Sequence, residues 1–242
     1  MTRTTMRKMA WTALTLGVVI AGGAGAWALA APGGGSSARP VVVELFQSQG
    51  CSSCPPANAN LNAVADRPDV LALSFGVTYW DQLGWKDTFA KAAFTDRQRA
   101  YARALPAQMG TPQMVIEGRD DIIGTTASEL AVALRRARPA MEATVTLAGG
   151  RVEVGAGKAP AAGADVWLVR YDPRVQQVAI QRGENNGKTV PHRDIVRELT
   201  RLGAWNGAPV RFVAPPASDP ALRTAVLVQA KDGGPILAAA RL

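Results

Sequence analysis

Two short segments of the chain are almost entirely apolar and rich in β-branched residues. Residues 41–46 (VVVELF) and 70–77 (VLALSFGV) each have the length of one strand, and such continuous apolar runs are typical of strands covered on both faces. Residues 57–65 (ANANLNAVA) between them predict a helix. Together these elements predict a right-handed β-α-β unit whose two strands are parallel.

The following pattern predicts an α/β domain over residues 41–140. Residues 90–105 repeat Phe94, Tyr101 and Leu105 at helical spacing, and two short strands are predicted over 113–116 and 121–124. Residues 128–138 close the unit as a helix, with Ser128 as its expected cap. This order of elements is that of a thioredoxin-like domain.

After Pro139 the chain changes to short strands separated by turn residues. The predicted strands are 143–147, 151–154, 166–171, 175–181, 209–213, 225–229 and 236–240. The first two pairs predict hairpins, the second across Asp172-Pro173-Arg174. Residues 195–202 fit either a helix or a strand. The spacing predicts an all-β, sandwich-like C-terminal domain over residues 141–242.

The first forty residues do not fit either domain. Arg3, Arg7 and Lys8 precede an apolar run over residues 10–31, and 32–37 is rich in Gly and Ser. We expect residues 1–30 to be a secretory signal peptide and 31–40 a linker. The alternative is an uncleaved membrane anchor over 10–31, because the run is about as long as a span of roughly 20 residues. Either places the protein outside the cytosol, in the periplasm or secreted, where disulfides persist.

Composition narrows the classes of function. The chain has 242 residues, 48% of them hydrophobic, which is enough for one or two cored domains. The formal net charge of +8 includes three leader cations and no leader acid, which leaves +5. The densest cluster, Arg135-Arg136-Arg138, ends a predicted helix, where cations complement the helix dipole. Without a basic stripe interleaved with aromatics, we expect no nucleic-acid partner.

Both cysteines of the chain lie in Gly50-Cys51-Ser52-Ser53-Cys54-Pro55-Pro56. A C-x-x-C between a strand and a helix is typical of redox sites. Residues i and i+3 share a helix face, so the two sulfurs can form a disulfide. We assign Cys51 as the nucleophile, expected to be the more exposed cysteine, and Cys54 as the resolving thiol.

Because of Pro55 and Pro56, the sequence allows two different starting residues for the helix. Either a weakly bonded first turn begins at Ser52, or the regular helix begins at Pro55 and the motif forms its lead-in. The second arrangement weakens the expected effect of the helix dipole on the pKa of Cys51. The alternative is a purely structural disulfide, although closing so small a ring stabilises the folded state by roughly 2 kcal/mol or less through loop entropy.

The chain has too few ligands for a zinc site, since zinc needs four and only His192 adds to the two cysteines. Cu(I) binding by Cys51 and Cys54 stays open as an alternative. A lone histidine is usually a surface residue, and His192 falls in the predicted β region. We predict no cofactor.

The carboxyl ends of parallel strands meet at one sheet edge, where ligands bind in α/β proteins. We therefore expect Tyr79, Trp80, Asp81 and Trp85 to line the edge around the sulfurs. Thr111-Pro112 precedes the third strand of the thioredoxin-like order, and we expect a cis bond there that leaves backbone groups of Thr111 free for substrate. Glu44 lies inside the first apolar strand, where a carboxylate is either functional or paired. It either relays a proton to Cys54 or pairs with an arginine.

Long motifs in the chain resemble those of the secreted bacterial proteins classed as domain of unknown function 1223. They are FQSQGCSSCPP (46–56), YWD (79–81), GWKD (84–87), FTDRQRAY (94–101), TPQM (111–114), GENNGKTV (183–190) and GPIL (234–237). The resemblance implies a thioredoxin-like domain followed by a β-rich domain, with no established activity. Gly76 stands where that family often has His, Gln47 where Thr is common, and Asn58 where Asp is common.

The sequence as a whole predicts an exported thiol–disulfide oxidoreductase that acts on protein or small-molecule thiols and disulfides of the cell envelope. Two other functions remain open. One is a Cu(I) carrier that uses the same thiolates, and the other is an envelope interaction protein whose disulfide is inert.

Overall fold

The computed structural model describes residues 1–2, 39–106 and 108–241. The expected leader and most of the expected linker fall in residues 3–38, outside the described part. No helix among the described residues is long and apolar enough to cross a membrane.

The described chain is mostly β-sheet with few helices. The helices are α1 (Cys54–Val64), α2 (Ala92–Ala104) and α3 (Ala127–Arg136), with a 3-10 turn at Asp81–Leu83. The strands are β1 (Val41–Gln47), β2 (Val70–Gly76), β3 (Gln113–Ile116), β4 (Asp120–Ile122), β5 (Val145–Ala148), β6 (Arg151–Val154), β7 (Ala164–Asp172), β8 (Gln176–Ala179), β9 (Thr189–His192), β10 (Ile195–Trp205), β11 (Val210–Val213), β12 (Arg223–Ala230) and β13 (Ile236–Arg241).

One eight-stranded sheet runs through both halves of the chain in the order β13-β12-β7-β10-β2-β1-β3-β4. β1 and β2 are parallel, as expected, and β3 is antiparallel to β1. The sheet crosses the expected boundary between residues 140 and 141, because Ile195 at the start of β10 pairs with Ser74 of β2. The later half is β-rich as predicted, but four of its strands extend the first sheet instead of forming a separate sandwich.

Two predictions about the later strands need correction or completion. The hairpin predicted across Asp172-Pro173-Arg174 is wrong, since β7 pairs with β10 and β12 while β8 pairs with β9. The carboxylate of Asp172 instead accepts hydrogen bonds from Arg174 and Gln176. The ambiguous segment 195–202 is a strand, part of β10.

The two faces of the large sheet are covered by different elements. Alternate residues of β1 separate them: Val42 and Phe46 pack with α2, whereas Val43 and Leu45 pack with α1 and α3. Alternation in β7 and β12 places a third cluster on the face opposite the α2 core, beneath the three-stranded sheet β11-β6-β5. The carboxyl ends of β1 and β2 carry the candidate site.

Candidate functional site

The C-x-x-C motif forms a tight turn between β1 and α1. The Cys51 amide donates to the Ser48 carbonyl at 3.1 Å, and the Cys54 amide donates to the Cys51 carbonyl at 3.2 Å. α1 begins at Cys54, with prolines in its first turn, where a missing N–H breaks no helical bond. The motif is therefore mainly a lead-in to the helix, close to the second of the two expected arrangements.

Cys51 and Cys54 are joined in a disulfide, with 5.4 Å between their Cα atoms. Both residues have 0% of their surface exposed. The expectation that Cys51 is the more exposed cysteine is wrong for this state. The exposed residues of the motif are the two serines between the sulfurs, Ser52 and Ser53.

The Thr111–Pro112 bond is cis, as predicted, and its loop lies against the sulfur of Cys51. The Thr111 carbonyl oxygen is 3.7 Å from Cys51 Sγ, and the hydroxyl of Ser53 is 3.4 Å from that carbonyl and 3.3 Å from Cys51 Sγ. The structure thus brings together Cys51, Cys54, Thr111 and Pro112.

An open groove of about 410 Å³ extends from this loop along the outer edge of the sheet. Thr111 and Pro112 form one part of its lining and Ser53 another. Ile123, also in the lining, is 60% exposed. Gln113 in the same lining is buried, and its Nε2 has no hydrogen-bond partner among the described residues.

Two of the aromatic residues predicted at the edge, Tyr79 and Trp80, connect to the cis-proline loop. The indole N–H of Trp80 donates to Thr111 Oγ1 at 2.7 Å. The hydroxyl of Tyr79 donates to Gln98 Oε1 at 3.2 Å, and Gln98 in turn donates to the Gly110 carbonyl at 2.7 Å. Burial raises the pKa of Tyr79, so its hydroxyl stays a donor.

Gln49, which the sequence reading did not single out, links Trp85 to the turn. Its Oε1 accepts from Trp85 Nε1 at 2.9 Å and from the Thr88 amide at 3.2 Å. The backbone amide of Gln49 donates to Asp87 Oδ2 at 2.7 Å. Burial raises the pKa of Asp87 to about 6, even though backbone amides donate to it. Asp81, predicted at this edge, accepts the Asp87 amide at 3.0 Å and so supports the loop from behind.

A second missed element is the loop between β8 and β9, residues 180–188, which we call the hairpin tip. Asn185 Nδ2 donates to the carbonyls of Gln49 at 2.9 Å and Cys51 at 2.7 Å, and Glu184 Oε2 accepts the Ser52 amide at 3.1 Å. The only sequence signal for this contact is the GENNGKTV motif (183–190), which no local pattern connects to the C-x-x-C turn.

Glu44 lies on the sheet face away from α1. Its Oε1 accepts from Arg97 Nε at 2.6 Å, and its Oε2 accepts from Arg97 Nη2 at 3.0 Å and from the hydroxyl of Tyr101. Burial works against the charge of Arg97, but Glu44 outweighs it and raises the arginine pKa. Of the two predicted roles, the arginine pair is present, and a relay to Cys54 is not supported because Cys54 begins the helix on the opposite face.

His192 is fully buried at the end of β9, contrary to the expectation of a surface residue. Its ring packs edge-on against Phe89, with 5.6 Å between centroids. Neither ring nitrogen has a hydrogen-bond partner among the described residues, and burial lowers its pKa to about 4.

Gly76, at the end of β2, is held close to the next loop. A Cβ added there would lie 2.9 Å from the Ala90 nitrogen, so a larger side chain requires the chain at Ala90 to move.

In the described part of the chain, His, Cys, Asp and Glu side chains form no group of three or more with the arrangement of a metal site.

Comparisons with known proteins agree with the motif resemblance. Residues 42–229 match the family described as "Protein of unknown function (DUF1223)". A structurally solved protein from Agrobacterium tumefaciens is 33% identical, covers 84% of this chain and 93% of its own, and has a TM-score of 0.67.

A more distant similarity is to HBP35 of Porphyromonas gingivalis, at 12% identity and a TM-score of 0.53, over 84% of this chain and 74% of that chain. It concerns the fold alone. A search of curated proteins finds no match. The family match and the Agrobacterium protein establish that this chain belongs to the DUF1223 family of proteins of unknown function.

Proposed function

We propose that this protein is an exported, thioredoxin-like thiol–disulfide oxidoreductase that acts through the Cys51–Cys54 couple. Its partners are protein or small-molecule thiols and disulfides of the cell envelope. The observation that carries the proposal is the disulfide at the start of α1 with the Thr111 carbonyl 3.7 Å from Cys51 Sγ.

The order of elements supports the thioredoxin-like assignment. The β1-α1-β2 unit is followed by α2, by the antiparallel pair β3 and β4, and by α3. In the sheet, these four strands lie in the order β2-β1-β3-β4. This arrangement sets the C-x-x-C turn and the cis-proline loop side by side, although they are sixty residues apart in sequence.

The groove beside Pro112 is suited to binding an extended segment of a substrate. A substrate cysteine near Cys51 would lie next to the backbone of Thr111, which offers hydrogen bonds of the kind that strands make. The exposed side chain of Ile123 then supplies an apolar contact along the groove.

In the reductive direction, the thiolate of Cys51 attacks one sulfur of a substrate disulfide. A mixed disulfide forms between Cys51 and that sulfur, and the other substrate sulfur leaves as a thiolate that takes a proton from water. Cys54 then loses its proton to solvent and attacks Cys51 Sγ, which releases the second substrate thiol. The substrate gains two electrons and two protons, and the protein ends as the Cys51–Cys54 disulfide. Oxidation of a substrate dithiol is the reverse.

The test uses the mature chain and a dye-labelled glutathione disulfide as substrate. We expect Cys51→Ser to reduce exchange to the uncatalysed rate and Cys54→Ala to accumulate a mixed disulfide at Cys51. Ala59→Ser is the matched control, because Ala59 is exposed on α1 and the change keeps both sulfurs and the turn between them. Exchange by Cys51→Ser at the parent rate would reject the proposal.

The complete burial of both cysteines favours a second candidate, an envelope protein whose disulfide is inert. Structural disulfides typically have reduction potentials below about −300 mV, whereas catalytic ones are higher. Equilibration of the Cys51–Cys54 couple with glutathione or dithiothreitol buffers therefore separates the two candidates.

A further inference from the structure

The hairpin tip closes one side of the C-x-x-C turn. Within the tip, the Gly187 amide donates to the Ile180 carbonyl at 2.8 Å, and the Ile180 amide donates to the Lys188 carbonyl at 2.9 Å. At its base, the hairpin is held to α1, where Asn62 Nδ2 donates to the Pro191 carbonyl at 3.1 Å. The tip is thus an ordered loop on a supported hairpin.

Asn185 fastens the tip to the turn with its whole side-chain amide. It is 1% exposed, and its Nδ2 uses both protons on the carbonyls of Gln49 and Cys51. Its Oδ1 accepts from Lys188 Nζ at 2.9 Å. Because these partners are backbone carbonyls on either side of Gly50, Asn185 fixes the position of the peptide that carries Cys51.

Glu184 places a carboxylate on the amide that follows Cys51. Its Oε2 is 3.1 Å from the Ser52 nitrogen. Hydrogen bonding first to the Ser52 side chain and then to the Ser52 amide lowers the pKa of Glu184, so the group is ionised at neutral pH. A thiolate is stabilised by free backbone amides and nearby cations and destabilised by a like charge. Here the Ser52 amide is already engaged, and the engaging group is an anion.

The charged side chains that hydrogen-bond directly to the turn are acidic. Glu184 binds the Ser52 amide and Asp87 binds the Gln49 amide, with Asp81 behind Asp87. The cation closest in this network, Lys188, reaches the turn only through Asn185. Arg182 and Lys86 belong to the same two loops, and both are exposed.

We propose that the hairpin tip is a cover that controls the reactivity of Cys51, with Asn185 holding the turn closed and Glu184 opposing formation of the thiolate. Both are positioning residues that act through the peptide around Cys51. The proposal deepens the oxidoreductase function and rests on it only for its biological consequence: the redox couple would react fully only when the cover opens.

The first test measures the rate at which iodoacetamide alkylates Cys51 as a function of pH. A Cys54→Ala background makes Cys51 the sole thiol, since the chain has two cysteines. We expect Glu184→Gln to move the midpoint of the profile about half a pH unit lower, equal to roughly threefold faster alkylation below the midpoint. The shift should shrink at 1 M salt, because exposed charges are then screened within about 3 Å.

Glu198→Gln is the matched control, because Glu198 also accepts a backbone amide, that of Ser218 at 2.9 Å, at a place outside the turn. Its profile should coincide with that of the parent. A Glu184→Gln profile that also coincides with the parent at low salt would overturn the role of Glu184.

The second test separates access from charge. Asn185→Ala removes two hydrogen bonds to the turn, so we expect roughly tenfold faster alkylation at every pH, with a midpoint that falls by no more than the half unit expected for Glu184→Gln. Circular dichroism verifies that the variant is folded. An unchanged rate in folded Asn185→Ala would overturn the cover.

These measurements do not depend on catalysis. If the parent protein fails to exchange with glutathione disulfide while both alkylation effects appear, the proposed function fails and the cover stands. If exchange occurs and neither alkylation effect appears, the cover fails and the function stands.

Discussion

On the α2 face of the sheet, the buried carboxylate of Glu44 has a partner for each oxygen. On the side of α1, the buried ring of His192 has no hydrogen-bond partner among the described residues. The sequence alone points to Glu44, a candidate proton relay, as the residue more closely linked to the disulfide, and it predicts His192 to be a surface residue. The structure places Glu44 on the sheet face opposite α1 and places His192 on the hairpin whose tip is hydrogen-bonded to the C-x-x-C turn.

The surroundings of Glu44 and of Ser74 differ in how their polar groups are satisfied. Arg97 and Tyr101 bind Glu44, and Gln229 donates to the Tyr101 hydroxyl at 3.0 Å, which ties β12 to the network. On the other face Ser74, placed there by alternation with Leu73 and Phe75, has an Oγ without a partner in the described chain. A fully paired buried group has its lost hydration replaced by hydrogen bonds, whereas a buried group without a partner carries an uncompensated desolvation cost.

The largest expected effect is on the paired side. Arg97→Met leaves the Glu44 carboxylate buried without its cation, and we expect a loss of about 3–5 kcal/mol in the free energy of unfolding. Urea denaturation of the oxidised protein measures this loss. The double variant Glu44→Gln/Arg97→Met should recover part of it, because the uncompensated charge is gone.

The same variants test the assignment of Glu44. If it serves folding only, Glu44→Gln changes the rate of disulfide exchange per folded molecule by less than about twofold. A much larger fall in exchange, with the protein still folded, would restore the relay role and remove the contrast between the two faces.

The next effect concerns His192 and pH. Its folded pKa of about 4 lies below the ordinary 6.5. The unfolded chain therefore binds the proton more readily, and stability present above pH 6.5 is lost as the pH falls toward 4. The difference of pKa corresponds to a loss on the order of 3 kcal/mol.

Two buried acids oppose this trend and must be separated from it. Burial raises the pKa of Asp87 to about 6 and that of Asp194 to about 7, so each contributes less stability as the pH rises through that range. Both remain in His192→Gln, and the comparison of parent and variant by urea unfolding at each pH isolates the histidine. Parallel curves between pH 7 and 4 would contradict the prediction.

Local patterns predicted the elements that carry the disulfide. β1, α1, β2, α2 and the β3–β4 pair follow from apolar runs and helical spacing, and the cis bond follows from their order. The face of Glu44 did not follow, because β1 is apolar on both faces and alternation alone does not say which helix covers which face. The sequence reading therefore left its two roles open.

Long-range pairing explains the other misses. Asp172-Pro173-Arg174 has the composition of a hairpin turn, yet the partners of β7 come from β10 and β12, far along the chain. The contact of Asn185 with Cys51 joins residues 134 apart. Such contacts depend on the placement of whole elements, which local periodicity does not encode.

The smallest expected effect concerns Ser74. Its buried Oγ has no partner among the described residues, so removing the hydroxyl in Ser74→Ala should leave stability unchanged or raise it by up to about 1 kcal/mol. Thr95→Val is the contrasting variant, because Thr95 Oγ1 accepts the Thr78 amide at 3.0 Å, and its removal should cost about 1 kcal/mol. Urea midpoints measured on the two variants under one condition give the comparison. A clear destabilisation by Ser74→Ala would mean that the hydroxyl is bonded in solution, and the side of α1 would then be as well satisfied at this position as the side of α2.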